Sequence, residues 1–140
     1  MSLGLGANTQ RALERFDPEQ PDLLTGGVNP DSDAGNGALM RLAPVPTYWH
    51  QDLDTAILMA RKQAQTTHNV QEAMDASALM AFVIWHAIND QDKAAVFGLL
   101  PKLQDKLLHA EVAELATSNA KWRTASENVS LPCPADVYGR

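Results

Sequence analysis

The sequence predicts an all-α domain, and three observations carry that prediction. Apolar residues recur at three- and four-residue spacing along most of the chain. No segment alternates polar and apolar residues as a half-buried strand would. No motif returns at a fixed period, which argues against a solenoid or propeller. At 140 residues the length suits one domain or a substantial piece of a larger one. The division expected is a helical part over residues 1–117 and an irregular tail over 118–140.

The first helical signal runs from Asn8 to Phe16. Asn8 or Thr9 is suited to cap it, and Ala12, Leu13 and Phe16 share a face. Pro18 and Pro21 stop it, and Asp17 to Asn36 reads as a long surface loop rich in Pro, Gly, Asp and Asn. A short apolar helix follows, ended by Pro44 and Pro46, with a turn over Thr47 to Gln51. Asp52 to Gln63 is predicted helical: Asp52 and Asp54 at its start and Arg61 and Lys62 at its end suit the helix dipole. The strongest element, Val70 to Ile88, is apolar nearly all round between Ala76 and Trp85, as expected of a central helix buried on most sides. Asp90 to Leu100 makes another helix, broken at Pro101. Lys102 to Thr117 reads as a further helix, with Leu103, Leu107, Val112 and Leu115 inward and Glu111 and Glu114 outward.

Charge and composition exclude several function classes. Seventeen acidic against eleven basic residues give a formal net charge of −6, the wrong sign for a nucleic-acid footprint. Cys133 is the only cysteine, so neither an internal disulfide nor a cysteine-based zinc site can form. No basic and apolar leader opens the chain, and the longest nearly uncharged run, Ala76 to Asn89, is too short for a bilayer. A cytoplasmic protein is expected.

Several local patterns bear on chemistry. Gly35-Asn36-Gly37 at the start of a helix leaves amide N–H groups suited to phosphate, yet Gly and Asn also punctuate ordinary turns, and spacing alone favours the turn. His68 follows Thr66 and Thr67 before the central helix, either facing a ligand or solvated in a capping loop where Thr66, Thr67 or Asn69 is the cap. His86 reads as a hydrogen-bonded core residue. The pairs Asp31/Asp33 and Asp52/Asp54 offer hard oxygen donors but serve equally as loop or cap residues. Nucleophile-elbow and Walker-type motifs are absent from the sequence, and Cys133 has no evident activating base.

Taken in order, three blocks resemble the ADP-ribosylglycohydrolase family. Gly35-Asn36-Gly37-Ala38-Leu39-Met40-Arg41-Leu42-Ala43-Pro44 resembles its GNG(S/A)xMR(L/I)AP signature. Thr67-His68 ahead of the alanine-rich helix resembles its next block, and Gly4 to Leu13 resembles its DIGNTT-x-x-AL segment. The match covers about residues 4 to 117. The resemblance implies a compact all-α fold and metal-assisted hydrolysis that releases ADP-ribose from modified proteins or related ADP-ribosyl compounds, with a pair of Mg2+ (or Mn2+) ions. It implies that Gly35, Asn36 and Gly37 hold the ADP-ribose diphosphate and that His68 lines the same cleft. Met40 and Leu42 would anchor the loop in the core, and Arg41 would fix the local architecture by hydrogen bonds.

The departures are as informative. The family's acidic Thr-Asp-Asp motif does not occur in this sequence and no Asp-x-Asp-Thr segment lies near its C-terminal end, so it supplies no catalytic and no metal-binding candidate. Gly4-Leu5-Gly6-Ala7 stands where the family has Asp-Ile-Gly-Asn. The expectation is the middle of a glycohydrolase: truncated, split or degenerate. Exposed apolar surface, self-association or a complementing chain would follow. The alternative to a hydrolase is a non-catalytic ADP-ribose-binding or degenerate module.

Overall fold

The computed structural model describes residues 6–20, 26–89 and 92–117. They form eight α-helices and one 3-10 helix: α1 (Ala7–Glu14), α2 (Pro30–Asp33), α3 (Gly37–Met40), α4 (Pro44–Tyr48), α5 (Leu53–Gln65), α6 (Gln71–Ile88), α7 (Lys93–Leu99), the 3-10 helix (Leu100–Lys106) and α8 (Ala110–Thr117). Among the described residues the only extended pairing is an isolated parallel bridge between Gly27 and His68. The all-α expectation holds. The tail expected at 118–140, with Cys133, lies outside the described residues.

Helix α5 begins where the sequence says it should. The Asp52 carboxylate accepts the Thr55 amide at 3.0 Å and the Thr55 hydroxyl at 2.6 Å, satisfying an otherwise unpaired helix-start donor. Those hydrogen bonds hold its carboxyl below the usual range. Helix α6 packs along α5 and also meets α3, α4, α7, α8 and the 3-10 helix, so it is central as expected, although it is less enclosed than expected, with Met80 and Ile88 exposed. Its buried side is mostly small: Ala73, Ser77, Ala78 and Ala81, with Phe82 as the one large apolar residue. Small residues let the neighbouring backbones come close. The main core gathers Ile57, Ala78, Phe82, Leu100, Leu103, Leu107, Val112 and Ala116, and a smaller one gathers Leu42, Ala60 and Ala81.

Several expected boundaries move, each for a physical reason. Pro44 begins α4 rather than ending a helix; its missing N–H costs nothing in the first turn, and Thr47 and Tyr48 belong to that helix. Helix α6 starts after Val70 with no side-chain cap, so Thr66, Thr67 and Asn69 do not cap it. The helix expected over Lys102 to Thr117 is split in two. The cause lies on α6: the buried Asp75 carboxylate accepts the amides of Leu108 and His109, both at 2.7 Å, and turns the chain there. Asp75 Oδ1 faces Arg61 Nη1 at 2.7 Å, an ion pair without hydrogen-bond geometry. Leu103, Leu107 and Val112 are buried as expected, whereas Leu115 is exposed.

The first helix also differs. Its cap position is Gly6, not Asn8 or Thr9, and only Ala12 of the expected apolar face is buried, Leu13 and Phe16 being exposed. Nor is the 17–36 segment purely surface loop, because Gly26 and Gly27 are buried against the Thr67–Asn69 backbone. On the far side of α3, an apolar groove of about 320 Å3 runs past Leu39, Leu79, Met80, Val83, Phe97 and Leu115.

Candidate functional site

A cleft of about 620 Å3 opens where the N-terminus of α1, the loop before α3 and the α5–α6 connection converge. Gly6, Ala7, Asn8 and Thr9 line one side; Gly35, Asn36, Gly37, Met40 and Arg41 line another; His68 closes the wall. All four predicted binding residues, Gly35, Asn36, Gly37 and His68, therefore fall in one cavity.

The bridge that positions His68 comes from the loop before α2. Gly27 donates its amide to Thr67 O at 3.3 Å, and Asn69 donates back to Gly27 O at 2.8 Å. A side chain at residue 26 or 27 would break this contact. A Cβ on Gly26 would lie 2.2 Å from Gln65 O, and one on Gly27 would lie 2.2 Å from the Asp33 carboxylate. Asp33 in turn pairs with Arg11 at 2.8 Å and accepts the Asn29 amide at 3.0 Å. Of the carboxylate pairs offered by the sequence, Asp31/Asp33 thus serves structure through Asp33, and Asp52 serves as a cap.

His68 is 3% exposed, with its ring against the glycine loop. A Cβ on Gly37 would sit 2.8 Å from His68 Cε1, and one on Gly35 would sit 3.5 Å from Nε2. Neither glycine has a left-handed φ. Gly37 is therefore required for close approach to the imidazole and not for turn geometry. The amides of Gly35, Asn36 and Gly37 make no hydrogen bond among the described residues. Helix α3 is a single turn of four residues, so its dipole is short and the loop amides themselves are the donors on offer.

Behind the imidazole stands Arg41. Its Nε donates to Gln63 Oε1 at 2.6 Å, and its Nη2 donates to Gln63 O at 2.9 Å, Thr66 Oγ1 at 3.1 Å and Thr67 Oγ1 at 2.6 Å. Thr67 Oγ1 is also 2.6 Å from His68 Nδ1. The architectural role expected of Arg41 is thereby observed. Burial holds the His68 imidazole below its usual value of 6.5; the Arg41 charge pushes the same way, Asp33 opposes it, and Arg11 adds a smaller downward push.

Two expectations about neighbours change. Leu42 is fully buried as an anchor, but Met40 is 79% exposed and lines the cleft instead. Asn8 is no cap: its Oδ1 accepts from Arg11 Nη2, and the residue lines the cleft one position beyond Gly4-Leu5-Gly6-Ala7. The sequence offers it only as a cap candidate, and no local signal marks it for the cleft. The other histidines stay apart from the cleft. His86 packs its ring on Phe82 and Trp85 rather than hydrogen-bonding, and burial lowers its pKa. His50 is exposed, and the His109 amide binds Asp75.

The donor set does not suit a magnesium ion. Mg2+ takes oxygen ligands, commonly including carboxylates, whereas this lining holds Arg41 and no Asp or Glu. Among the described residues no three His, Cys, Asp or Glu side chains gather as a metal site. Amide N–H groups, an imidazole and a nearby guanidinium suit an anion.

An all-α chain with an anion-suited cleft behind a Gly-Asn-Gly loop is the class defined so far. Comparison with known families makes it specific: the chain matches the ADP-ribosylglycohydrolase family over residues 1–138 and belongs to it. Over 89 residues it is 35% identical to the ADP-ribosylarginine hydrolase Tri1 of Pseudomonas putida (strain GB-1), covering 64% of this chain and 24% of that protein. The match thus spans about a quarter of that relative's length. No solved structure matches the chain.

Proposed function

We propose that the cleft binds the diphosphate of an ADP-ribosyl group and that the chain serves an ADP-ribosylglycohydrolase, which frees ADP-ribose from modified proteins or related small molecules. One observation carries this reading: Gly35, Asn36 and Gly37, whose amides make no hydrogen bond among the described residues, line the same cavity as the buried His68, whose Nε2 has no protein partner among them. Donors without acceptors, held in place by Arg41 and Gly27, match a ligand that is all acceptor at its centre. Family membership and the activity named for the Pseudomonas relative point to ADP-ribose as that ligand.

No residue described here is assigned a catalytic role. A magnesium or manganese pair would have to draw its carboxylates from outside the described cleft lining, in this chain or in a complementing one. The carboxylate-free lining favours a second reading, in which the chain binds ADP-ribose without cleaving it. Among the described residues no helix is long and apolar enough to cross a membrane; a cytoplasmic setting goes with either reading.

Calorimetry with ADP-ribose tests the shared core of both. Binding is expected without added metal and is expected to fall at least about tenfold in His68→Ala and Gly37→Val; no heat at millimolar-range ligand would reject both readings. Release of ADP-ribose from ADP-ribosylarginine by the chain with magnesium separates the hydrolase from the binding module.

A further inference from the structure

We infer that Arg41 and Thr67 act as positioning residues that fix His68 in the neutral tautomer with its proton on Nε2, so that the ring offers the cleft a donor. The inference rests on the anion-binding reading of the cleft and adds what sets the donor's polarity. Arg41 has only donors, so Thr67 Oγ1 accepts at the 2.6 Å contact with Nη2. The Thr67 hydroxyl has one proton to give. Its other polar neighbour is His68 Nδ1, also at 2.6 Å.

With Nδ1 as acceptor, Arg41 Nη2 gives a proton to Thr67 Oγ1 and the Thr67 hydroxyl gives its own to Nδ1, so both contacts pair one donor with one acceptor. With Nδ1 protonated, two donors converge on one oxygen, and the hydroxyl proton of a threonine only 8% exposed is left without an acceptor. The first arrangement therefore wins, and Nε2 carries the remaining ring proton. That nitrogen lies against Gly35 and Gly37, and no described residue accepts from it. The ring is thus a neutral donor beside the loop amides, matched to a phosphate oxygen and unable to give Nε2 to a metal as a ligand.

Proton-detected 15N spectra of the histidine rings, recorded on the full chain without ligand at about pH 8, test the assignment. His68 is expected to show Nε2 as the protonated nitrogen and Nδ1 as a hydrogen-bonded acceptor. Thr67→Ser should retain that pattern, and Thr67→Val should lose it. ADP-ribose affinity should then fall about tenfold for the valine variant and stay near wild type for the serine variant. A wild-type His68 protonated on Nδ1, or a Thr67→Val chain with an unchanged ring pattern, would overturn the inference. The wild-type spectrum decides the tautomer even where the valine variant folds poorly. Because the spectrum needs no ligand, a correct tautomer together with absent ADP-ribose binding would sink the proposed function and leave this inference standing.

Discussion

Asp75 and His68 are both buried polar side chains on the same pair of helices and their connection, yet their hydrogen bonding ends differently. Asp75 Oδ2 is used by the Leu108 and His109 amides, and its Oδ1 faces Arg61, so its bonding capacity is directed inward. His68 uses Nδ1 for Thr67 and leaves Nε2 at a cavity wall. A closed network turns the chain and locks α8 to α6. An open one, buried just as deeply, has a direction, and that direction identifies the site more sharply than burial or residue type alone.

The comparison can be broken at its closed end first. Asp75→Ala strands Arg61 and frees two amides, and should cost about 3–5 kcal/mol, read by urea denaturation. His68→Ala, which removes a ring from a cavity wall, should cost clearly less while removing ligand binding; equal losses of stability would erase the distinction. Gly27→Ala comes next. Its Cβ would meet the Asp33 carboxylate, and a destabilisation of about 1–3 kcal/mol is expected from the same denaturation curves.

Acid titration sharpens the open end. His68 and His86 are both held below 6.5 when folded, so the unfolded chain takes up protons that the native chain refuses. Stability should be full above pH ~6.5, fall as pH drops below it, and level once the folded rings protonate. Melting scans across that range should show the fall, and His68→Gln should flatten part of it; an unchanged slope would mean that the ring is not buried neutral. The smallest effect is expected at the exposed Lys106–Asp54 pair, where Lys106→Met should change stability by less than about 0.5 kcal/mol.

Local signals in the sequence served well where a short-range bond decides the structure. Asp52 capping α5 and the alanine-rich face of α6 are such cases. They failed where a partner far along the chain decides. Nothing between Lys102 and Thr117 announces that Asp75, more than thirty residues upstream, will take two amides and divide the helix. Pro44 reads as a stop in the sequence, although the same missing donor makes it a good first residue. At the site, motif order brought Gly35, Asn36, Gly37 and His68 together. The cleft-facing positions of Met40 and Asn8 were missed, since an apolar residue in an apolar run, or an Asn ahead of one, carries no mark of which cavity it will face.

The bridge between Gly27 and His68 joins segments about forty residues apart in sequence. Closing so long a loop is entropically slow compared with zipping neighbouring helices together. The helices α5 and α6 pack without it, so the cleft wall should be among the last parts of the chain to form and the first to open. The Asn69 amide, which donates to Gly27 O, reports that opening directly. In hydrogen exchange it should trade its proton faster than amides in the middle of α6, and ligand should slow it, making one backbone position a gauge of how often an assembled helical core stands without its binding site.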